Sequence, residues 1–437
     1  MLKKITFGST NLSDLHEVFR MESGETLDNR RARLFPTGHT EKETLTTSIF
    51  LASLSAVKEY REELFSAIGI NKIKTRNVAL HVYTEMASIL KDRRPDGLVI
   101  ITSGKHNPVI EWAAFVEVKV GKDSISSAQV EKYIEFGRDI GISNIITISN
   151  EMVTTPTDSP VVTSKRSVNL YHWSWKYLLV MASKLVNDQR VEDEDHVFIL
   201  NELQRYLRNH KNIQSYNNMG GKEWRDSVRK INDYEPSQKI DKATLEILVS
   251  SLKQEEKDIS LQLTEGTQYY VEVDAKEDRS CVIEKMLADK KVVTTPYIIN
   301  QDKSCTFTID IDFIRQSITC CTTQRVNTGK AQAQTSNLLK TLDRNGVGAS
   351  DHILVKAIYK RNKSLNEGIP VRQLLEEKTH ADPYSVLDKA LGDAIKEFEI
   401  KTKDALHRDF QSPTNFVTRI ESIAERFVQQ VMSAFVA

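Results

Sequence analysis

Three features predict an α/β first half followed by an α+β second half. Two apolar runs flank a short polar loop in PDGLVIITSGKHNPVIEWAAFVEVK (95–119), the composition of a β-hairpin. A helical stretch, SAQVEKYIEFGRDIG, then separates that hairpin from the buried-strand sequence NIITIS. Strand, helix, strand with tight connections is the unit of a parallel pairing. Beyond an Asn- and Gly-bearing segment at 211–223, β-rich and helical stretches are sorted into separate blocks.

In chain order, residues 1 to 38 are polar and mixed, with Arg30, Arg31 and Arg33 close together. From Thr40 the spacing turns helical, since Leu45, Ile49, Ala52, Ala56 and Tyr60 recur at intervals of three and four. Thr40 stands as N-cap with Glu43 in the capping-box position. VALHVYTEMASIL reads as a second helix or a strand–helix mixture, and Arg93, Arg94, Pro95 and Gly97 make a basic turn into LVIIT. IEWAAFVEVKV is the returning strand, and Gly141 ends the following helix as its C′ residue. VNLYHWSWKYLLVMASKL passes from strand to helix, with Trp173 and Trp175 alternating on the strand as core residues. FILNELQRYLRNH is a further amphipathic helix that closes a domain of residues 1–215.

The second region, 222–437, is expected to recognise substrate, dimerise or bind a partner. DKATLEILVSSLKQ is helical; LQLTEGTQYYVEVDA, VVTTPYII and CTFTIDIDFI are β-rich. The last third reads as helical, in NLLKTLDRN, VRQLLEEK and amphipathic stretches from Pro383 to Phe435.

Composition narrows the classes. A length of 437 residues implies more than one domain. With 60 Lys and Arg against 60 Asp and Glu there is no global basic field, so any nucleic-acid contact rests on local patches. Cys281, Cys305 and the adjacent Cys320 and Cys321 form no CxxC pair, and are read as reduced and structural with no zinc site. The first residues hold no continuous apolar run of the secretory type, and no run approaches the ~18 apolar residues of a membrane span. The expectation is a cytoplasmic protein with no membrane contact. No Gly-x-x-x-x-Gly-Lys loop is present, so any ATP-driven step falls to a separate ATPase.

Chemistry centres on the hairpin. Asp96 stands at the mouth of its first run and Glu117-Val118-Lys119 ends its second. Strand alternation points Glu117 and Lys119 to one face and Val116, Val118 and Val120 to the other. Hydrolysing a phosphodiester needs an activated water and an offset for the charge that builds on the phosphoryl oxygens, and a carboxylate-held divalent metal supplies both. Mg²⁺ sits on one or two carboxylates plus substrate phosphate, so Asp96 and Glu117 are enough, with Lys119 to orient the water or steady the phosphate. A plain exposed strand can carry the same Glu-x-Lys as solvated charge. Lys72, Lys74 and Arg76, with Lys91, Arg93 and Arg94, precede this site, and Lys105, His106 and Lys122 lie on its loops. Such a cluster grips phosphates with little sequence preference. Asp274 and Lys276 repeat the acid-x-Lys spacing without a Pro-Asp turn before them, and Asp310 and Asp312 alternate as the wet side of a strand.

With these residues the chain resembles the PD-(D/E)XK nuclease superfamily. Pro95-Asp96 matches its first half-motif and Glu117-Val118-Lys119 its second, with Glu where Asp is the other choice. Gln129 and Tyr133 form a Gln-x-x-x-Tyr element on one helix face, similar to that in the nuclease domains of bacterial recombination helicase-nucleases. The resemblance spans residues 40 to 180. It implies a restriction-endonuclease-like α/β/α sandwich with a mixed sheet, and a helix acid for which Glu43 is the best match and Glu41 the next. It further implies a metal-dependent endonuclease, with Mg²⁺ or Mn²⁺ on Asp96, Glu117 and Glu43 and with Gln129 and Tyr133 in support. The expected substrate is double-stranded DNA, cut by a homodimer in restriction, anti-phage defence or repair. An RNA-directed nuclease and a non-catalytic nucleic-acid-binding protein are the alternatives.

Overall fold

A computed structural model of the chain describes residues 4–21, 25–36, 42–86, 94–121, 123–163, 167–213, 216–233, 239–326, 330–347, 350–359, 367–380 and 395–436. The chain divides into two compact units, Met1–Ser215 and Tyr216–Ala437.

The first unit opens with a one-turn helix α1 (Leu15–Val18), followed by α2 (Lys42–Ala56) and α3 (Lys58–Ala67). Next come β1 (Val78–Thr84), β2 (Gly97–Ser103), β3 (Val109–Val118), α4 (Ser127–Ile140), β4 (Asn144–Ser149), β5 (Asn169–Ser174), α5 (Trp175–Asn187) and α6 (Glu194–Asn209). The strands lie side by side in chain order, antiparallel from β1 to β3 and parallel from β3 to β5. The unit is therefore mixed α/β on a five-stranded mixed sheet, with α4 as the crossover between the parallel strands β3 and β4. VALHVYT is strand over its whole length, the strand part of the expected strand–helix mixture, and residues 87–90 lie outside the described residues. The β-branched and aromatic residues of VALHVYT favour the pleated surface.

Both faces of this sheet are covered, which is why β4 is buried from end to end and reads as a continuous apolar run. On one face Phe115 of β3 stacks on Phe136 of α4 at 5.4 Å, and Leu15, Val18 and Phe19 close the same cluster. On the other, Phe50 of α2 and Phe65 of α3 meet Trp112, Trp173 and Trp175 edge to face at 5.6–6.3 Å. Trp175 is the first residue of α5, so the two indoles enter this core from a strand end and a helix start and do not alternate along one strand. Gly97 sets the approach of α2: a Cβ there would stand 2.8 Å from Leu51 Cδ1 and 3.1 Å from Val116 Cβ. The bare glycine lets the helix that carries Glu43 lie close to the start of β2.

The second unit runs α7 (Lys222–Asp233), α8 (Lys242–Gly266), β6 (Val271–Val273), α9 (Arg279–Asp289), β7 (Val292–Ile299), β8 (Asp302–Asp312), β9 (Ser317–Arg325) and α10 (Ala331–Arg344). It continues with β10 (Ile353–Tyr359), β11 (Ile369–Pro370), α11 (Val371–His380), β12 (Ile395–Ala405), α12 (Arg408–Gln411) and α13 (Pro413–Gln430). Its seven strands pair antiparallel throughout, in the order β11-β10-β12-β9-β8-β7-β6. Two expectations change here. LQLTEG continues α8, where residues from Glu255 to Leu261 are buried on all sides, so Leu-x-Leu alternation there marks a buried helix. IKEFEIKTKDA is strand β12 and ILVKAIY is strand β10, within the third expected to be helical. A bulge against Ile358 and Tyr359 turns both Ile395 and Phe398 inward, and that spacing of three imitates a helix. Most of the stretch from Pro383 to the start of β12 lies outside the described residues. The four cysteines are unpaired. Among the described residues no helix is long and apolar enough to cross a membrane.

Candidate active site

The site forms where β2 begins and β3 ends, because the hairpin register pairs Gly97 with Val116. Asp96, one residue before β2, accepts a hydrogen bond from the Val118 N–H through Oδ2 at 2.8 Å. Lys119, one residue past β3, has its backbone fixed twice. Its N–H donates to the Ile148 carbonyl of β4 at 2.8 Å, and its carbonyl accepts from the Trp175 indole at 2.9 Å. The turn before β2, strand β4 and the head of α5 thus hold two successive residues.

Around that frame the side chains converge. The Lys119 ammonium stands 2.7 Å from Glu117 Oε1 and 3.0 Å from Glu43 Oε1, the latter reaching in from the first turn of α2. Glu117 is fully buried, not on a wet strand face. Its Oε2 accepts from the Tyr133 hydroxyl at 2.7 Å, and Gln129 donates to the same hydroxyl at 3.0 Å. The spacing of four on α4 places Gln129 and Tyr133 on one face, behind Glu117. Glu117 Oε1 accepts no aligned hydrogen bond despite the nearby ammonium.

The electrostatics follow from burial and crowding. Asp96 is pushed up to about 8, first by burial and then by the Glu117 carboxylate, against the pull of the Val118 N–H and the Lys119 ammonium. Burial works to lower the Lys119 pKa, but the nearby carboxylates of Glu117, Glu43 and Asp96 together outweigh it and the value stands above that of an ordinary lysine. Burial, and then the Glu117 charge, raise the Tyr133 phenol, which keeps its proton and donates it. A layer behind, His172 is fully buried, with Nδ1 2.8 Å from the Thr147 hydroxyl and Nε2 2.8 Å from the Glu151 carbonyl. Burial lowers it to about 4, so the ring is neutral, with Nε2 as the donor to the carbonyl.

Among the described residues no three His, Cys, Asp or Glu side chains already stand in a metal-ligating cluster. Two observations nevertheless fit a divalent cation: a buried Glu117 oxygen without an aligned donor, and an Asp96 that burial and then the neighbouring carboxylate drive to hold a proton. A cation between those two carboxylates would relieve both.

The remaining sequence candidates separate. Arg94 turns its guanidinium to Glu85 at 2.6 Å, while its carbonyl accepts from Tyr133. Lys105 and His106 are exposed on the hairpin loop, but that loop joins the other ends of β2 and β3. Lys105 thus lies beyond about 23 Å of strand from Asp96, too far to grip a phosphate held there. Lys72 pairs with Glu111 at 2.5 Å. Glu41, Lys91, Arg93, Lys122 and the proposed cap Thr40 lie outside the described residues. Asp274 sits just past β6 with Lys276 exposed, and Asp312 accepts from the Ile314 and Arg315 N–H groups of a turn. Asp310 is half-buried, which raises its pKa, and so is not simply the wet side of β8. Trp175 and the Thr147–His172 pair were not singled out as site residues from the sequence, because each acts through contacts set by distant segments.

Comparison of the chain with protein-family models, with curated proteins and with solved structures finds no match.

Proposed function

We infer that this chain is a metal-dependent nuclease of the PD-(D/E)XK type that hydrolyses DNA phosphodiester bonds. The observation that carries the reading is the meeting of Glu117 and Glu43 at the Lys119 ammonium, with Asp96 on the Val118 N–H within electrostatic reach of both Glu117 and Lys119, and with Tyr133 and Gln129 fixing Glu117 from behind. The five-stranded mixed sheet with helices on both faces suits the restriction-endonuclease-like sandwich of that superfamily.

Asp96 and Glu117 would hold Mg²⁺ or Mn²⁺, which when bound lowers the pKa of a water and offsets phosphoryl charge. Lys119 keeps its proton, so it acts as a donor to the phosphoryl oxygens or to the attacking water and not as a general base. Glu43 holds that ammonium from the first turn of α2, and Tyr133 fixes the Glu117 rotamer. In the overall step the water oxygen bonds to phosphorus and gives its proton to solvent, the bond to the leaving oxygen breaks, and that oxygen takes up a proton from solvent to leave as the alcohol. Restriction, anti-phage defence and repair all use this chemistry. Substrate recognition, self-association or docking of a separate ATPase falls to the second unit in this reading.

The test is divalent-metal-dependent cleavage of plasmid, linear duplex, single-stranded DNA and RNA by the wild type, Asp96→Ala and Lys119→Ala. Cleavage by the wild type alone, abolished by chelation, is expected. Equal activity in all three folded proteins, or none in any, sinks the assignment. RNA as the only substrate cut would move the reading to a ribonuclease.

A further inference from the structure

Beside the site, α6, the chain just after it and the start of α2 enclose a cleft of about 510 Å³, a ligand-sized volume. Leu45, Arg205, Tyr206, His210, Lys211 and Asn212 are among its walls. Two connections tie the cleft to the proposed catalytic residues. Thr46 lies three residues along α2 from Glu43, about 4.5 Å of helical rise. Its hydroxyl meets the Tyr206 hydroxyl at 2.8 Å and His210 Nε2 at 3.3 Å. Asn150 donates to the Gly121 carbonyl at 2.8 Å, two residues past Lys119, and to the Asn212 carbonyl at 2.9 Å.

The walls carry rings and cations, together with the Glu202 carboxylate and the Asn209 amide. Tyr206 and His210 present rings 5.6 Å apart and tilted by 56°, next to the aliphatic Leu45. The Arg205 side chain is 74% exposed and stands 3.5 Å from Glu202, and Lys211 is exposed. Ring faces suit a base that has left its stack, and the cations suit the phosphates that flank it. A base inside a duplex has its faces covered and its edge paired, and reaches such a cleft only after it is unstacked.

We propose that the cleft between α2 and α6 takes one unpaired nucleotide of a single-stranded DNA segment, which sets the adjoining phosphate toward Asp96, Glu117 and Lys119. The substrate is then single-stranded DNA or an unpaired end, in place of the intact duplex expected from the sequence. The proposal rests on the nuclease reading for the fate of that phosphate, and its binding half is measurable without cleavage.

The experiment uses the full chain in chelator and follows the anisotropy of a labelled single strand of about 12 nucleotides, or of its blunt duplex. Arg205→Glu, Tyr206→Ala and Tyr206→Phe are compared with the wild type, each checked for folding by circular dichroism. The wild type should prefer the single strand. Tyr206→Ala should weaken it about 5- to 150-fold, and Tyr206→Phe, which keeps the ring, should bind nearly as the wild type. Arg205→Glu, on the surface, should weaken it and flatten its salt dependence. Unchanged single-strand binding in both Tyr206→Ala and Arg205→Glu, or a preference for duplex, overturns the cleft; if the wild type still cleaves, the nuclease reading survives alone. Cleft-dependent binding with no cleavage by any protein in Mg²⁺ overturns the nuclease reading and keeps the cleft. Competition by thymidine monophosphate as strong as by the oligonucleotide assigns the cleft to a free mononucleotide and overturns the strand.

Discussion

Asp96→Asn should make the metal-free protein more stable while removing its activity. Asp96 holds its proton in the fold up to about 8, against 3.8 for the free side chain. Because this folded pKa is raised, the group costs nothing below the unfolded value. Its penalty grows by about 1.4 kcal/mol per pH unit above that value and levels off beyond the folded one. At pH 7 the penalty is about 4 kcal/mol, and at pH 4.5 about 1 kcal/mol. Asparagine carries no charge and keeps an oxygen for the Val118 N–H, so the variant escapes the penalty. Urea unfolding in chelator, followed by tryptophan fluorescence at about pH 4.5, 7 and 8.5, measures the difference. Trp112, Trp173 and Trp175 all report on the first unit, against Trp224 in the second. The variant should gain midpoint stability at neutral pH and lose that advantage in acid. Saturating Mg²⁺ should stabilise the wild type and leave the variant unmoved. A variant no more stable than the wild type at pH 7, or a gap that persists unchanged at pH 4.5, would falsify the account of Asp96.

Other perturbations test the surroundings. Tyr133→Phe leaves a buried Glu117 oxygen without its 2.7 Å donor and should cost about 1.5–3 kcal/mol in urea unfolding, with reduced cleavage. His172, neutral and buried with a pKa of about 4, works in the opposite sense to Asp96. Its folded value is depressed, so the unfolded chain takes the proton first. About 3 kcal/mol of stability should drain away between pH 6.5 and 4, and His172→Gln should flatten that slope. Gly97→Ala puts a methyl group against Leu51 and Val116 and should destabilise by about 1–3 kcal/mol. It should also reduce cleavage, as α2 moves Glu43 off Lys119; full activity in a destabilised Gly97→Ala protein would argue against a role for Glu43.

Local patterns were readable and distant contacts were not. The β2–β3 hairpin could be drawn from apolar runs around a polar loop, and with it the pairing of Asp96 to the end of the Glu117 strand. The parallel step through α4 followed from NIITIS and its Gly141 stop. What no local pattern holds is depth: Glu117 looks like any solvated strand acid until α4 lays Tyr133 over it. The same limit explains Lys105, a sequence neighbour of the site that the strands carry to their far end. In the second unit, helix-favouring Lys and Glu between the inward residues of β12 hid a period of two, and the buried Leu261 and Leu263 on either side of half-buried Gln262 in α8 imitated one. The contacts of Trp175 with Lys119 and of Thr46 with Tyr206 join residues 56 and 160 positions apart, beyond the reach of any spacing rule.

The direction of the hairpin has a practical side. Its open end is anchored by the Val118 N–H, the Lys119 N–H and the Lys119 carbonyl, while its exposed tip at 104–107 points away from them. A change in the length of the tip adds residues beyond the last paired rung, Ser103 with Val109, and leaves the register of every rung nearer the acids untouched. The tip is therefore a natural handle: an affinity peptide or a reporter dye grafted there travels with the strand that carries Glu117 without disturbing it.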